Sequence, residues 1–121
     1  MSVGQDRKPP RAVRFPSLQF APRFEYGDVA EVAVVTGSKA EGELGSGFVR
    51  MQNAEIPWTV QYDEVLLVVE GEIAVQTEQG DLVAGPKDCI WLSRGTRLVY
   101  KAEDALLFYA IHPWNWAETS T

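Results

Sequence analysis

The stretch that decides the fold is residues 64–84, which read EVLLVVEGEIAVQTEQGDLVA. Its three short runs of aliphatic and β-branched residues favour strands, and the pairs Glu70-Gly71 and Gln79-Gly80 between them are typical of turns. The same pattern continues on both sides and predicts strands over residues 29–35, 47–52, 58–62, 64–70, 73–78, 81–84, 89–92, 97–101 and 105–111. Many short strands separated by turn signals roughly every 8–12 residues predict an all-β antiparallel barrel or sandwich.

The length and composition fit one domain with its own core, since the 121 residues are 45% hydrophobic. We divide the chain into an extended basic arm (1–22), a β-barrel domain (23–117) and a short tail (118–121). The net charge is −6, and because four of the 11 basic residues lie before Phe15, the remainder is more acidic still. An acidic body repels phosphate backbones, so we expect no nucleic-acid partner. The arm is rich in proline, and we expect it to be extended and frayed.

The signals for the cellular compartment are simple. Cys89 is the only cysteine, so no disulfide can form within the chain, and we expect its side chain to be buried. The N-terminal sequence has charge but no apolar segment of the kind found in signal peptides. The longest apolar run, residues 105–111, is far shorter than the roughly 20 residues that span a membrane. We therefore expect a soluble, cytoplasmic protein with no membrane partner.

The predicted strand 64–70 is apolar on both of its faces. Val65, Leu67 and Val69 point to one side, and Leu66 and Val68 point to the other, because successive strand residues alternate. A strand of this kind needs cover on both sides, such as a barrel interior on one side and a second layer or a second subunit on the other. We therefore expect a homodimer.

Two motifs carry a family resemblance. The first is Tyr-Asp-Glu-Val at 62–65, whose glutamate precedes Gly71 by seven positions, and the second runs from Pro-Lys-Asp at 86–88 to Ser-Arg-Gly-Thr at 93–96. They resemble the two characteristic motifs of the cupin superfamily, although the second departs at one position each from that family's Pro-Gly-Asp and Pro-x-Gly-Thr. The resemblance implies a single-domain, jelly-roll-like antiparallel β-barrel.

Further residues are similar to the C-terminal cupin domain of the EutQ family of ethanolamine utilisation. That family has Trp-Thr before Tyr-Asp-Glu-Val and ends in Tyr-Pro-x-Asn-Trp; here Trp-Thr stands at 58–59 and His-Pro-Trp-Asn-Trp at 112–116. The likeness spans about residues 29–116. Proteins of that family have an additional N-terminal region that this sequence lacks.

The resemblance also bears on cofactors. Metal-binding cupins use three histidines and one glutamate, and the histidine positions correspond here to Trp58, Val60 and Leu98, which leaves only Glu64. One carboxylate cannot hold a catalytic Fe, Mn or Zn ion, which takes about three or four protein ligands. We therefore expect no metal and no other cofactor. The alternative is a metal-dependent cupin whose relocated ligands are Glu64 and His112 with Asp63 or Glu55.

Glu64 is the leading candidate for chemistry. Strand alternation places positions 58, 60, 62, 64, 66 and 68 together inside the barrel unless a bulge intervenes. A carboxyl buried among apolar groups has a raised pKa, which suits a general acid or base near neutral pH. We predict catalytic roles for Glu64 and Tyr62; the alternative is that Glu64 only braces the barrel through hydrogen bonds. Asp63 points to the other face, where we expect a turn or interface contact.

A ligand pocket is predicted around Glu64. The aromatic candidates for its lining are Trp58, Tyr62, Tyr100, Phe108 and Tyr109, because aromatic rings with hydroxyl groups are common in small-molecule sites, although the same residues also serve as ordinary core packing. The predicted ligand-binding residues are Trp58, Val60, Leu98, Tyr100 and Phe108.

These residues lead to a function. We expect a EutQ-like cupin that binds a small polar metabolite without a three-histidine metal site and carries out isomerase- or lyase-type acid–base chemistry with Glu64. The alternative is a non-catalytic ligand sensor or an assembly protein of ethanolamine-type catabolism. Some EutQ proteins are credited with ATP-dependent acetate kinase activity. We do not expect it here, because the body is acidic, the extra N-terminal region is lacking and no Gly-x-x-x-x-Gly-Lys-Ser/Thr phosphate loop is present.

Overall fold

We describe the fold from a computed structural model, which covers residues 7–23 and 26–119. Its strands are β1 (Ala21–Pro22), β2 (Ala30–Thr36), β3 (Gly45–Thr59), β4 (Asp63–Gly71), β5 (Ile73–Thr77), β6 (Gly80–Ala84), β7 (Cys89–Leu92) and β8 (Arg97–His112). The described helical segments are α1 (Trp116–Thr119) and two 3-10 turns at Phe15–Ser17 and Lys39–Glu41. In this part of the chain, no helix has the length and apolar character needed to cross a membrane.

The strands form one antiparallel sheet that divides along β8. β1, β2, β3, β8, β4 and β7 are hydrogen-bonded in that order. On the edge away from β3, β8 pairs first with β5 through residues 98–101 and then with β4 through residues 105–112. β8 therefore joins the β5–β6 hairpin to the β4–β7 pair. One apolar core receives side chains from both halves of the sheet.

The long strands β3 and β8 both change, at the same point of their pairing, which alternate residues face the core. We call this the phase change. In β3 the positions that belong to the core change from odd (49 and 51) to even (54 and 56), and in β8 from even (98, 100 and 102) to odd (105, 107 and 111). Asn53, with a positive φ of 50°, falls between the paired residues of β3 and lies opposite Glu103. A phase change of one residue turns every later side chain to the face opposite the one that unbroken alternation predicts.

Two predicted breaks between strands are therefore wrong. The sequence predicts separate strands at 47–52 and 58–62, and again at 97–101 and 105–111, but each pair is joined in one continuous strand, and β3 ends at Thr59, three residues before the predicted end. β3 and β8 stay hydrogen-bonded to each other on both sides of the phase change, so Glu103 and Asp104 mark a bend rather than a chain reversal. The predicted all-β antiparallel fold is confirmed; β2, β4, β5, β6 and β7 begin and end within one residue of the predicted positions, while the two-residue strand β1 was not predicted.

The outer strand β7 corrects one further prediction. Its side chains alternate, so that Ile90 and Leu92 are buried in the core while Cys89 and Trp91 are exposed. The prediction that Cys89 is buried is therefore wrong, because its neighbour Ile90 occupies the inward position.

The described part of the basic arm lies against the loop between β2 and β3. Nη2 of Arg11 donates to the carbonyl oxygen of Val35 at 3.1 Å and to the carboxylate of Glu41. The backbone N–H of Lys8 donates to the carbonyl oxygen of Ala40 at 2.9 Å. The prediction of a frayed arm is therefore wrong for these residues, since paired charges and a backbone hydrogen bond hold them to the domain.

The predicted domain boundaries stay predictions. β1 begins at Ala21, inside the predicted arm, and α1 crosses the predicted boundary after residue 117. Residues 1–6 of the predicted arm and residues 120–121 of the predicted tail lie outside the described residues.

Candidate functional site

A cavity of about 350 Å³ opens into the core between the strands of the larger half of the sheet. This volume is within the range of roughly 300–1,000 Å³ that small-molecule sites occupy. Its polar lining residues are Arg23, Thr36, Tyr62, Glu64, Tyr100 and Tyr109. Its apolar lining includes Val32, Val49, Met51, Leu66, Leu107 and Ile111, together with Trp114 and Trp116. A few polar groups on an otherwise apolar wall are typical of a small-molecule site.

Glu64 is the buried carboxyl of this cavity. β4 holds it between Leu92 of β7 and Ile111 of β8, and only 5% of the residue is exposed. Its Oε1 accepts a hydrogen bond from the hydroxyl of Tyr100 at 3.0 Å. Burial raises the pKa of Glu64 to about 7, and the Tyr100 hydrogen bond and the charge of Arg23 oppose that rise. Both protonation states are therefore present near neutral pH, which is what general acid–base chemistry requires.

Three tyrosine hydroxyl groups share the cavity with Glu64. Burial, reinforced by the Glu64 charge, raises the pKa of Tyr62 to about 12 and the pKa of Tyr100 well above its ordinary value. Burial also raises the pKa of Tyr109, again with the Glu64 charge as the second cause. All three hydroxyl groups therefore stay protonated at neutral pH and act as hydrogen-bond donors.

An aromatic cluster places a cation beside these groups. The rings of Trp58 and Trp116 pack edge to face with centroids 5.6 Å apart, and Trp116 packs in the same way on Tyr62 at 5.4 Å. The guanidinium carbon of Arg23 lies 5.2 Å from the centre of the Trp58 ring, within the range of cation–π contacts. The cluster therefore fixes the positive charge of Arg23 near Glu64.

The structure brings some of the predicted site residues together. Glu64, Tyr62 and Tyr100 line the same cavity. Val60 and Leu98 are buried in the core without being among its lining residues. Trp58 is half-buried and reaches the site through its contacts with Trp116 and Arg23 rather than through the cavity wall.

Phe108 is not brought to the cavity. It lies on the outer face of β8, where its ring packs edge to face on Phe48 with centroids 5.2 Å apart. The phase change at Glu103 and Asp104 is the reason, since it turns Tyr109 inward and Phe108 outward. The predicted pocket position of Phe108 is therefore corrected, and Tyr109 occupies it.

Asp63 lies where the sequence predicts. Its side chain is exposed, and Oδ1 accepts a hydrogen bond from the backbone N–H of Arg94 at 3.2 Å, which ties β4 to the turn after β7. Asp63 therefore makes a turn contact and faces away from Glu64.

The residues present do not fit a cupin metal. At the positions that correspond to the family's histidines stand Trp58, Val60 and Leu98, none of which offers a metal-binding donor. Among the residues that the structure describes, no group of three or more His, Cys, Asp or Glu is placed to hold an ion. The proposed replacement ligands His112 and Glu55 are exposed, and each lies 3.8 Å from another charged partner, Glu43 and Lys101 respectively.

The cavity lining includes residues that were not predicted from the sequence, among them Arg23, Trp114 and Trp116. Trp114 and Trp116 belong to the C-terminal motif at 112–116, which could have indicated them. Arg23 carries no such signal, because it follows the two-residue strand β1, whose position only its pairing with β2 reveals.

Solved structures define the class to which this fold belongs. The structure of the Clostridium difficile EutQ protein superposes with a TM-score of 0.78 at 21% identity, covering 87% of this chain and 88% of that one. An ethanolamine utilization protein from Salmonella typhimurium gives 0.80 at 23% identity, covering 86% of each chain. An RmlC-like cupin from Shewanella frigidimarina gives 0.71 at 14% identity, covering 87% and 92%. The chain therefore has the cupin fold, as its two motifs predict.

The sequence narrows the class to a family. Residues 19–118 match the family described as ethanolamine utilisation protein EutQ, and the chain belongs to that family. Curated relatives named acetate kinase EutQ are 32% identical over 84 residues in Escherichia coli and 32% identical over 74 residues in Salmonella typhimurium. The matches cover 69% and 60% of this chain but 36% and 32% of those relatives, so the chain spans about a third of their length.

Proposed function

We propose that this chain binds a small molecule in the cavity and that Glu64 exchanges a proton with it, without the help of a metal ion. The observation that carries the proposal is Glu64, a carboxyl that is 5% exposed, has a pKa of about 7 and lies in a cavity of ligand size. A buried carboxyl is costly unless it is paired or used, and Tyr100 supplies its one described side-chain hydrogen bond. Isomerase- or lyase-type proton transfer is the chemistry that fits such a group.

The donor set supports the metal-independent part of the proposal, because three of the four positions that cupins use for metal carry apolar side chains. The test is elemental analysis of untagged wild-type protein and of Glu64→Gln. We expect less than about a tenth of an equivalent of any transition metal in both. Close to one equivalent of Fe, Mn, Ni or Zn in the wild type, lost in the variant, would overturn this part.

Proton exchange is tested with a panel of small hydroxy, oxo and amino acids incubated with the protein in D2O. Proton NMR follows the replacement of carbon-bound hydrogen by deuterium. Loss of a general acid–base group slows such a step by about a hundredfold or more, so Glu64→Gln should abolish the exchange. The matched control is Glu55→Gln, which removes a carboxylate whose side chain is 71% exposed and should leave the rate unchanged.

The same experiment also tests the alternative that the protein is a non-catalytic ligand sensor. Compounds of the panel that raise the melting temperature of the wild type without any exchange of hydrogen would show that the cavity binds but does not turn over. Equal exchange rates for wild type and Glu64→Gln would place the proton transfer elsewhere.

A specific observation also favours self-association. On the outer face of β4 and β7, Val65 and Val69 are 42% and 39% exposed, and Trp91 is 67% exposed. Val65 pairs with Trp91 across the two strands, so the exposed apolar groups are neighbours. We propose that a second copy of this chain covers this outer face.

We also propose that the protein is located in the cytoplasm. The free, exposed thiol of Cys89 supports this location, because the cytoplasm is reducing and keeps thiols unpaired.

The activity printed in the names of the curated relatives is not part of this proposal. Transfer of a phosphoryl group from ATP needs several cations or backbone amides around the phosphates. Among the described residues, Arg23 is the only Lys or Arg whose side chain lines the cavity.

A further inference from the structure

The polar end of the cavity has an uneven supply of hydrogen-bonding groups. Tyr62 and Tyr109 present hydroxyl groups that stay protonated, and Arg23 presents a guanidinium, whose several N–H groups can only donate. The hydroxyl of Tyr100 already donates its one hydrogen to Glu64, and Glu64 becomes a further donor when it is protonated. A ligand group that binds beside Arg23 therefore gains most when it brings hydrogen-bond acceptors.

The charge balance points the same way. Arg23 is positive throughout the neutral pH range, whereas Glu64 is neutral for part of it. Arg23 lines the cavity together with the three tyrosines, and its charge lowers the pKa of each of them. With Glu64 protonated, the polar end carries one net positive charge, and a cationic ligand group is disfavoured.

The rest of the cavity wall is apolar. Val32, Val49, Met51, Leu66 and Leu107 line it, and the cavity of about 350 Å³ is larger than a carboxylate group alone would fill. A ligand with only a polar head would leave this wall in contact with water. Burial of apolar surface is favourable, so a ligand with an apolar body gains affinity here.

We propose that the ligand is an amphiphilic monocarboxylate, whose carboxylate is bound by Arg23 with the hydroxyl groups of Tyr62 and Tyr109 and whose aliphatic body lies along the apolar wall. This inference rests on the proposed binding function of the cavity and names its ligand class. Arg23 is then the residue that selects an anion, and the apolar wall selects chain length.

The test measures binding of hexanoate to the full chain by calorimetry at constant ionic strength, beside butyrate, acetate, hexanamide and hexylamine. We expect affinity to rise roughly three- to fourfold with each added methylene, so that hexanoate binds far more tightly than acetate. Hexanamide, which has the same body without the charge, should bind about tenfold or more weakly. Hexylamine should show no binding.

Variants of Arg23 test whether this residue binds the carboxylate of the ligand. Arg23→Gln should weaken hexanoate about tenfold to a hundredfold and leave hexanamide unchanged, while Arg23→Lys, which keeps the charge, should recover part of the loss. The matched control is Arg97→Gln, since Arg97 lies on the surface with its side chain 77% exposed. Comparison of hexanoate with hexanamide on the wild type keeps the test decisive if an Arg23 variant fails to fold.

Three results would overturn the inference: acetate binding as tightly as hexanoate, hexylamine binding in preference to hexanoate, or Arg23→Gln binding hexanoate with unchanged affinity. None of them touches the proton-exchange experiment, which is read from Glu64→Gln. Conversely, Arg23-dependent binding of hexanoate without hydrogen exchange on any compound would support the ligand class and refute the acid–base function.

Discussion

Glu64, the proposed acid–base group, also makes the stability of the fold depend on pH. Its pKa is about 7 in the folded chain against 4.5 for the ordinary carboxyl, because burial disfavours the charge. Below about pH 4.5 the group is neutral in both the folded and the unfolded state, and it costs nothing. As the pH rises through 7, the folded state has to accept a buried charge that the unfolded state leaves in water. The group therefore favours folding at low pH and opposes it at high pH.

The expected result is a loss of about 3 kcal/mol of unfolding free energy from this group between pH 4.5 and pH 8, since one pKa unit corresponds to about 1.4 kcal/mol. Glu64→Gln, which mimics the neutral acid, should lack this component. Urea unfolding of both proteins at about pH 5 and about pH 8 measures it as the difference between the two pH dependences. Parallel pH dependences of wild type and variant would show that the carboxyl is not held in a raised-pKa environment.

At the scale of elements, the sequence predicts the strands but does not predict the phase change of β3 and β8. Apolar runs and turn pairs predicted the strands and the all-β class, because local side-chain preference decides them. They did not predict the bend, because Glu103 and Asp104 have the same composition as a turn and only pairing with β3 keeps the strand continuous. The exchange of Phe108 for Tyr109 in the cavity follows directly from that bend.

The same limit applies to the site. Glu64, Tyr62 and Tyr100 were predictable, since Glu64 lies near the start of the regular strand β4, Tyr62 directly precedes that strand, and Tyr100 lies on β8 before the bend. Arg23 was not, because it follows a two-residue strand that exists only through its pairing with β2. The position of Arg23 therefore depends on pairing between distant parts of the chain, whereas the position of Glu64 follows from the local sequence pattern.

Glu41 connects two elements, the basic arm and the loop between β2 and β3. Its carboxylate accepts hydrogen bonds from the N–H of Gly37 at 2.9 Å and from the hydroxyl of Ser38 at 3.0 Å, and it also binds Arg11. The Gly37 hydrogen bond, followed by Arg11, lowers the pKa of Glu41 to about 2. Its contribution is therefore present above the ordinary value of 4.5 and is lost as the pH falls towards 2.

Removal of this carboxylate should release the arm without unfolding the domain. We expect Glu41→Gln to speed amide hydrogen exchange at Lys8 by about tenfold at neutral pH, because losing the hydrogen bonds to the charged group loosens the arm and with it the Lys8 N–H bond to Ala40. Exchange in β8 should not change. Mass spectrometry of exchanged peptides measures both segments, and Glu55→Gln is the control. An unchanged arm in Glu41→Gln would mean that the Lys8 backbone hydrogen bond alone holds it.

For the whole molecule, the question is what covers the outer face of β4 and β7. Val65 and Trp91 are paired across the two strands, and Cys89 and Val69 extend the exposed apolar surface beyond them. Monomeric proteins seldom expose apolar patches larger than a few hundred Å². Two copies of this chain joined through this face would remove it from water and would give β4 an apolar environment on both sides.

Sedimentation of the wild-type chain should therefore give twice the chain mass of 13.5 kDa at micromolar concentration, and Trp91→Glu should give the single mass. A charge in place of Trp91 would have to be buried against a second apolar face, at a cost that exceeds the gain from association. The control is Val83→Glu, because Val83 is 65% exposed on β6, away from this surface, and its replacement should leave the dimer intact. A monomeric wild type, or dissociation by Val83→Glu alone, would place the contact elsewhere. If Trp91→Glu is monomeric and still binds hexanoate with unchanged affinity, the ligand site is complete within one chain.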